Sequence, residues 1–457
     1  MSQPQPDPAA RRTAWHEGLE RLRAAATTEP GRLRIIGAVL AALLVVFGAV
    51  TAWQVSDRSA AADAVVGHSQ PLSADAADIY RSLADADTAA AGGFLAGGQE
   101  PRTVRQRYEK DISLASQLLV KAAANADPTD PAGRQIARLN EQLPVYTGLV
   151  ESARVNNRQG LPLGGAYLRY ASDRMREELL PAARALYETE TGRLGSDYGD
   201  AKALPWAAFA TGVAALGALG WAQRRNYLRT HRVLNHGLLA STAAATVLLL
   251  WLAVGHGLAR AGMTDSYEHG ARSLQVLNEA RIAALQARGD ESLTLVARGA
   301  VLTPQGSDAY EASYGAGMRK LVGGDGAFAG GPARGSLLDR ARSLADGTAG
   351  GEPVASAIEN VRQWQQRHHD ARALDDNGYY ERALPKVIGE RSSTGESFDR
   401  VDTGLRQALA HEQREFRRSA DDGRGALAGL AAGAVVLAVL GAAGAALGIG
   451  RRLSEYR

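Results

Sequence analysis

The stretch QRRNYLRTHRVLN, residues 223–235, carries Arg224, Arg225, Arg229 and Arg232 and no acidic residue. An apolar run stands on each side of it: LPWAAFATGVAALGALGW (204–221) and HGLLASTAAATVLLLWLAVGHGLA (236–259). Each is close to the roughly 20 residues that span a bilayer. Short basic loops between spans stay on the cytoplasmic side. The loop therefore orients both spans and, through them, the whole chain.

Working outward, two more runs follow the same pattern: IIGAVLAALLVVFGAVTAW (35–53) and GALAGLAAGAVVLAVLGAAGAALGIG (425–450). None of the four contains Asp, Glu, Lys or Arg. With four crossings, the flank holding Arg21, Arg23, Arg32 and Arg34 falls on the loop's side, as do Arg451, Arg452 and Arg457. Arg417, Arg418 and Arg424 dissent from outside, among Asp421 and Asp422. Trp53 and Trp206 stand at outer ends, where interfacial indoles belong. The first run exceeds the 7–15 apolar residues of a secretory leader, so it reads as an uncleaved anchor.

The expected order is a cytoplasmic leader (1–34), a span (35–53), an outside segment (54–203), a span (204–222) and the basic loop (223–235). A span (236–259), a second outside segment (260–424), a span (425–450) and a cytoplasmic tail (451–457) complete it. The location implied is the plasma membrane, multi-pass, with both termini cytoplasmic. The tail reads as the topological stop of the fourth span, and any enzyme acting on a signal would be another polypeptide.

Composition narrows the chemistry. The 457 residues include no cysteine, which excludes disulfides, thiolate metal sites and cysteine nucleophiles. The net charge of +3 is small, and its clustering argues topology over nucleic-acid binding. No phosphate loop, nucleophile elbow, zinc helix or kinase signature is present, so no catalytic residue, cofactor site or metal site is assigned and no enzyme is expected. Mid-span ionisable groups, the mark of ion-coupled transport, are absent.

The outside segments carry helical periodicity. Leu72, Ala76, Ile79, Leu83, Ala86 and Ala90 form one stripe; Tyr108, Ile112, Ala115, Leu119 and Ala122 a second. Ile136, Leu139, Leu143, Tyr146, Val150 and Ala153 form a third; Leu168, Ala171, Met175, Leu179, Ala182 and Leu186 a fourth. Steps of three and four place each set on one helix face. Turn chemistry separates them at GGQEP (97–101), NADPTDP (125–131) and NNRQGLPLGG (156–165). Four such stripes predict a four-helix bundle. Its first and last helices are expected to run on from the spans, with a kink at Pro71.

An offset of 202 places Leu72, Leu83, Gly97 and Tyr108 on Leu274, Leu285, Gly299 and Tyr310. After 322 the offset becomes 218, a 16-residue insertion in the Gly-rich stretch 323–353, which reads as loop. The fold class expected is therefore all-α. Four transmembrane helices and two extracytoplasmic four-helix bundles form an internal tandem repeat, a pseudo-dimer about an axis along the membrane normal. Gly425, Gly429, Gly433, Gly444 and Gly448 in the fourth span suit close interhelical contact.

Candidate sites are few. Asn156, Asn157 and Arg158 sit in a turn that could meet an anion or a partner, though plain turn chemistry, which needs no ligand, is the favoured reading. Arg224, Arg225, Arg229 and Arg232 could meet lipid heads or a cytoplasmic partner beyond their topological role. His368-His369-Asp370 reads as a solvated helix face, and Glu177-Glu178 as exposed. The docking surfaces expected at the bundle tips are 96–103, 156–165, 299–308 and 374–379.

Span, four-helix bundle and returning span resemble the sensing halves of bacterial chemoreceptors and sensor kinases, here twice in one chain. With YTGLVESARVNNRQG (146–160) and YLRYASDRMREELLPAARALY (167–187), the chain resembles an actinobacterial family of tandem-bundle transmembrane signalling proteins. The resemblance implies an amino-acid signal. An extracytoplasmic glutamine- or aspartate-binding lipoprotein would deliver it, and serine/threonine protein kinase G in the cytosol would receive it. The expected role is a non-enzymatic sensor or relay whose partners are membrane lipid, that lipoprotein and that kinase, with no nucleic acid. The alternatives are a ligand-free scaffold of the cell envelope and a direct small-molecule sensor.

Overall fold

The structure, a computed structural model, describes residues 29–230, 235–326, 328 and 330–454. These residues are overwhelmingly helical and form two compact units. Their only β feature is an isolated bridge between Leu302 and Asp308.

The first unit holds four apolar helices, each long and apolar enough to cross a membrane. They are α1 (Glu29–Ala64), α7 (Trp206–Thr230), α8 (His236–Asp265) and α15 (Leu430–Ser454), named here in chain order. The expected glycine seam forms between α8 and α15. A Cβ on Gly237 would lie 2.4 Å from the Gly444 oxygen and from the Gly448 Cα, so the two backbones touch. Ser241 donates to the Gly441 oxygen at 2.7 Å and Asn235 Nδ2 to the Gly448 oxygen at 2.9 Å. Small residues and interhelical hydrogen bonds supply the attraction that lipid-like side chains cannot. Gly433 meets Trp251, whereas Gly425 meets nothing and Gly429 takes φ +76° in a turn. The helix Thr394–Gly425 therefore stops before the fourth apolar helix starts at Leu430, a correction to the continuous helix expected there.

The second unit, Ala62–Asp200 with Gly262–Asp422, contains both segments that lie between the apolar helices in the chain, around one hydrophobic core. The first segment contributes α2 (Gln70–Leu95), α3 (Arg102–Asn125), α4 (Pro131–Arg158), α5 (Leu163–Arg174) and α6 (Leu180–Lys202). The second contributes α9 (Arg272–Ala297), α10 (Ala309–Val322), α11 (Leu337–Ala345), α12 (Gly351–Asp376), α13 (Tyr380–Ile388) and α14 (Thr394–Gly425). The predicted stripes on α4 through α6 are buried at every position, and α3 buries all of its stripe but Ile112, which is half-buried. α3 and α4 are thus amphipathic layers with one wet face.

α2 and α9 are different. From Ser82 to Ala91 every residue of α2 is buried, and from Ala287 to Leu295 every residue of α9 is buried. SLADADTAAA keeps its side chains short, and in ARGDESLTL the long Arg288 and Glu291 pair with each other, so other helices approach from several directions and α2 packs on α9. A single stripe per helix underestimates these two.

A π turn, Val65–Ser69, joins α1 to α2 without a non-helical residue, and a second, Ser266–Ala271, joins α8 to α9. The first ends just before Pro71, and a third, Met175–Leu179, just before Pro181. A wider turn relieves the clash between the proline ring and the carbonyl four residues back. Pro71 thus leaves the helix unbroken. The returning helices are interrupted, by Ala203-Leu204-Pro205 before α7 and by 426–429 before α15.

The Gly-rich stretch 323–353 is only partly loop. Gly323, Gly324, Gly326, Gly330 and Gly335 take positive φ, and α11 then follows. The Ser336 hydroxyl caps its first turn by accepting from the Asp339 N–H at 3.4 Å.

Candidate functional site

Two regions of the second unit carry concentrated polar chemistry. The first lies where α2, α4, α9 and α13 end. Asn157 Nδ2 donates to the Phe94 oxygen at 2.8 Å and ties the end of α4 to the end of α2. Asn156 Nδ2 donates within its own helix, to the Ser152 oxygen at 2.8 Å. These two amides hold helix ends. Arg158 is exposed, with no ion pair among the described residues. Nearby, the sequence reading missed Arg154: it is buried, pairs with Glu100 at 3.1 Å and Glu151 at 2.6 Å, and lies 4.1 Å from the centre of the Tyr108 ring. Leu95 and Leu295 share a small core with Ala383 and Val387 of α13, so the ends of the two segments meet. Leu161, Leu163, Leu302 and Tyr379 remain exposed at the predicted tip segments.

The second region is the seam between the segments. Thr88 of α2 donates to the Leu285 oxygen of α9. Arg176 pairs with Asp290 across it. Arg107 reaches Asp85 at 2.7 Å within its own segment and Asp399 at 3.4 Å in the other. Burial raises Asp290 to about 7 although Arg176 opposes it, and burial followed by the Asp85 charge raises Asp111 to about 7. Asp402, with Arg281, Arg107 and Arg406 around it, stays below the usual carboxylate range despite burial.

Where α2, α6 and α9 converge with α11 and α14, the seam opens into a cleft of about 500 Å³. Arginines line it from four elements: Arg81 on α2, Arg272 and Arg281 on α9, Arg340 on α11 and Arg406 on α14. No sequence motif marks this cleft, because its residues are scattered over more than three hundred positions. The Gly-rich stretch that read as loop contributes one lining residue, Arg340.

His368 corrects a further expectation. It is buried, with Nδ1 2.8 Å from Glu291 and Nε2 3.1 Å from Glu311, and its ring stacks on Tyr314. Burial alone would lower it; the two carboxylates overcome burial and raise it to about 9, so it is an imidazolium at neutral pH. His369 and Asp370 are exposed, as expected. Glu178 pairs with Arg138 at the surface. Among the described residues no group of three His, Cys, Asp or Glu side chains converges as a metal site.

In the first unit, Arg224 is exposed and Arg225 lies 5.4 Å from the Trp221 ring. The Arg229 side chain and Arg232 lie outside the described residues, as do most of the leader and the last three residues of the tail.

Compared with known families, residues 61–199 match the model described as the actinobacterial sensor domain. No curated protein and no solved structure matches the chain. The matched segment runs from the end of α1 to the end of α6, and the similarity assigns it a sensor character.

Proposed function

We propose that this protein is a non-enzymatic transmembrane relay that senses a solute outside the cell and alters a partner inside. The observation that carries the reading is the helix path. α1 passes into α2, and α8 into α9, without a break, and α2 and α9 are the two helices that pack on each other and line the cleft. A small slide or rotation of one against the other would be passed along a stiff rod. A ligand biases such states only through differential affinity.

Under this reading the two segments are a tandem repeat forming a pseudo-dimer. The π turns support it, since 65–69 and 266–271 fall within one residue of the 202-residue offset seen in the sequence. Positive-inside orientation places both termini and loop 223–235 in the cytoplasm. The family resemblance adds the finer steps: an amino-acid signal, a solute-binding lipoprotein docking at the exposed apolar tips, and a cytosolic serine/threonine kinase reading the leader, the loop and the tail.

The test removes the inner surfaces. In a background with verified topology, deletion of residues 1–30 or replacement of Arg224, Arg225, Arg229 and Arg232 by glutamine is expected to abolish the amino-acid response of kinase-target phosphorylation. An unchanged response overturns these surfaces as the output.

A further inference from the structure

The cleft between the segments has an imbalance of charge that its own residues do not resolve. Arg81 pairs with Asp78 and Arg272 with Glu268. Asp402 serves both Arg281 and Arg406, while Arg107 stands 3.8 Å away on the same carboxylate. Four cleft arginines thus share three carboxylates, and the fifth, Arg340, has no ion pair among the described residues. Burial, only partly offset by Asp78 and reinforced by the Arg281 charge, holds Arg81 below the usual guanidinium value. Cations gathered from α2, α9, α11 and α14 repel one another until an anion enters.

A second observation narrows the anion. Asn278 of α9 lines the same cleft, and its buried Oδ1 has no hydrogen-bond partner. A buried acceptor without a donor is uncommon in folded proteins and marks a place for one. Leu274, Leu409 and Phe416 add an apolar wall. The volume of about 500 Å³ is that of a small-solute pocket.

We propose that this cleft binds a small carboxylate-bearing solute that also carries a hydrogen-bond donor, with Arg340 of α11 as one of its clamps. The guanidinium fork matches a carboxylate through two parallel hydrogen bonds. Inorganic phosphate would satisfy the cations but leaves the apolar wall uncovered. A solute bridging Arg81 and Arg281 contacts α2 and α9 together, so it favours whichever arrangement brings those helices closest. This assignment deepens the relay reading and depends on it for the consequence of binding, though not for binding itself.

The test is calorimetric titration of the full-length protein in lipid nanodiscs with L-malate, succinate and inorganic phosphate. L-malate is expected to bind saturably, succinate, of equal charge, about tenfold more weakly for want of the hydroxyl donor, and phosphate more weakly than either. Arg340 is exposed on a short surface helix, so Arg340→Ala spares the fold, and it is expected to weaken L-malate about tenfold or more. Asn278→Leu is expected to erase the preference for L-malate over succinate. Absence of carboxylate binding to the wild type, tighter binding of phosphate than of any carboxylate, or unchanged affinity in Arg340→Ala overturns the site. The two readings fail separately. Binding lost in Arg340→Ala with an intact kinase response sinks the relay through this cleft and keeps the site. No binding with an intact response sinks the site and keeps the relay.

Discussion

The hydroxyl of Thr88 in α2 lies 2.8 Å from the main-chain oxygen of Leu285 in α9 and 2.9 Å from that of Ala84 in its own helix, and the proton it shares between them is one of the polar ties that fasten the two segments of the second unit. Gly289, one turn further along α9, faces it: a Cβ there would lie 3.5 Å from the Thr88 oxygen, an ordinary contact. Thr88→Val keeps the shape and removes the donor. The expected loss is about 1 kcal/mol, because one buried carbonyl loses a partner. Thermal unfolding of the full-length protein in detergent checks this; an unchanged midpoint would mean that the tie contributes nothing.

His368 predicts a pH dependence. Its folded value of about 9 lies above the unfolded value near 6.5. The stabilisation is fully present below about pH 6.5 and is lost as pH rises through about 9. Its size is on the order of 3 kcal/mol by linkage. The difference in stability between wild type and His368→Gln is therefore expected to shrink between pH 6.5 and 9.5. A constant difference across that range would contradict a charged His368.

The membrane seam predicts an asymmetry among glycines of α8. Gly237 is pressed against Gly444 and Gly448, whereas a Cβ on Gly257 would meet nothing within 4 Å. Gly237→Leu is expected to destabilise by about 1–3 kcal/mol through overpacking. Gly257→Leu is expected to change little. Melting of both variants in the same detergent decides the matter, and equal effects would remove the seam.

Orientation can be read from labelling, because the chain has no cysteine of its own. Gln159 and Leu228 are both exposed. A membrane-impermeant maleimide on intact cells is expected to label Gln159→Cys and to spare Leu228→Cys until the membrane is opened. The reverse pattern would invert the topology.

Much of the helix plan was legible in the linear pattern. The stripe through Ile136, Leu139, Leu143, Tyr146, Val150 and Ala153 is buried along its whole length, since a helix with one apolar face has only one way to hide it. The turns at 97–101, 125–131 and 156–165 separate helices where glycine, proline and short polar residues cluster. Asp85, Asp87 and Asp290 were not legible as buried groups. Aspartate in a helix reads as solvated unless one knows that a second helix covers it. Asp87 is covered because Tyr146 and Ser172 bring hydroxyls to it at 3.3 and 3.0 Å. α11 was hidden by its glycine-rich surroundings.

The sequence by itself determined the elements and the membrane character: four uncharged runs, amphipathic helices between them and a glycine face on the fourth run. Those follow from local periodicity and transfer energy, which act within a few turns of one chain segment. Only the tertiary structure decided that the middles of α2 and α9 are buried all round, that the two segments between the apolar helices share one core, and that five arginines from four helices line one cleft. Such groupings depend on which helix faces which, and electrostatic neighbours far apart in the chain leave no period in it.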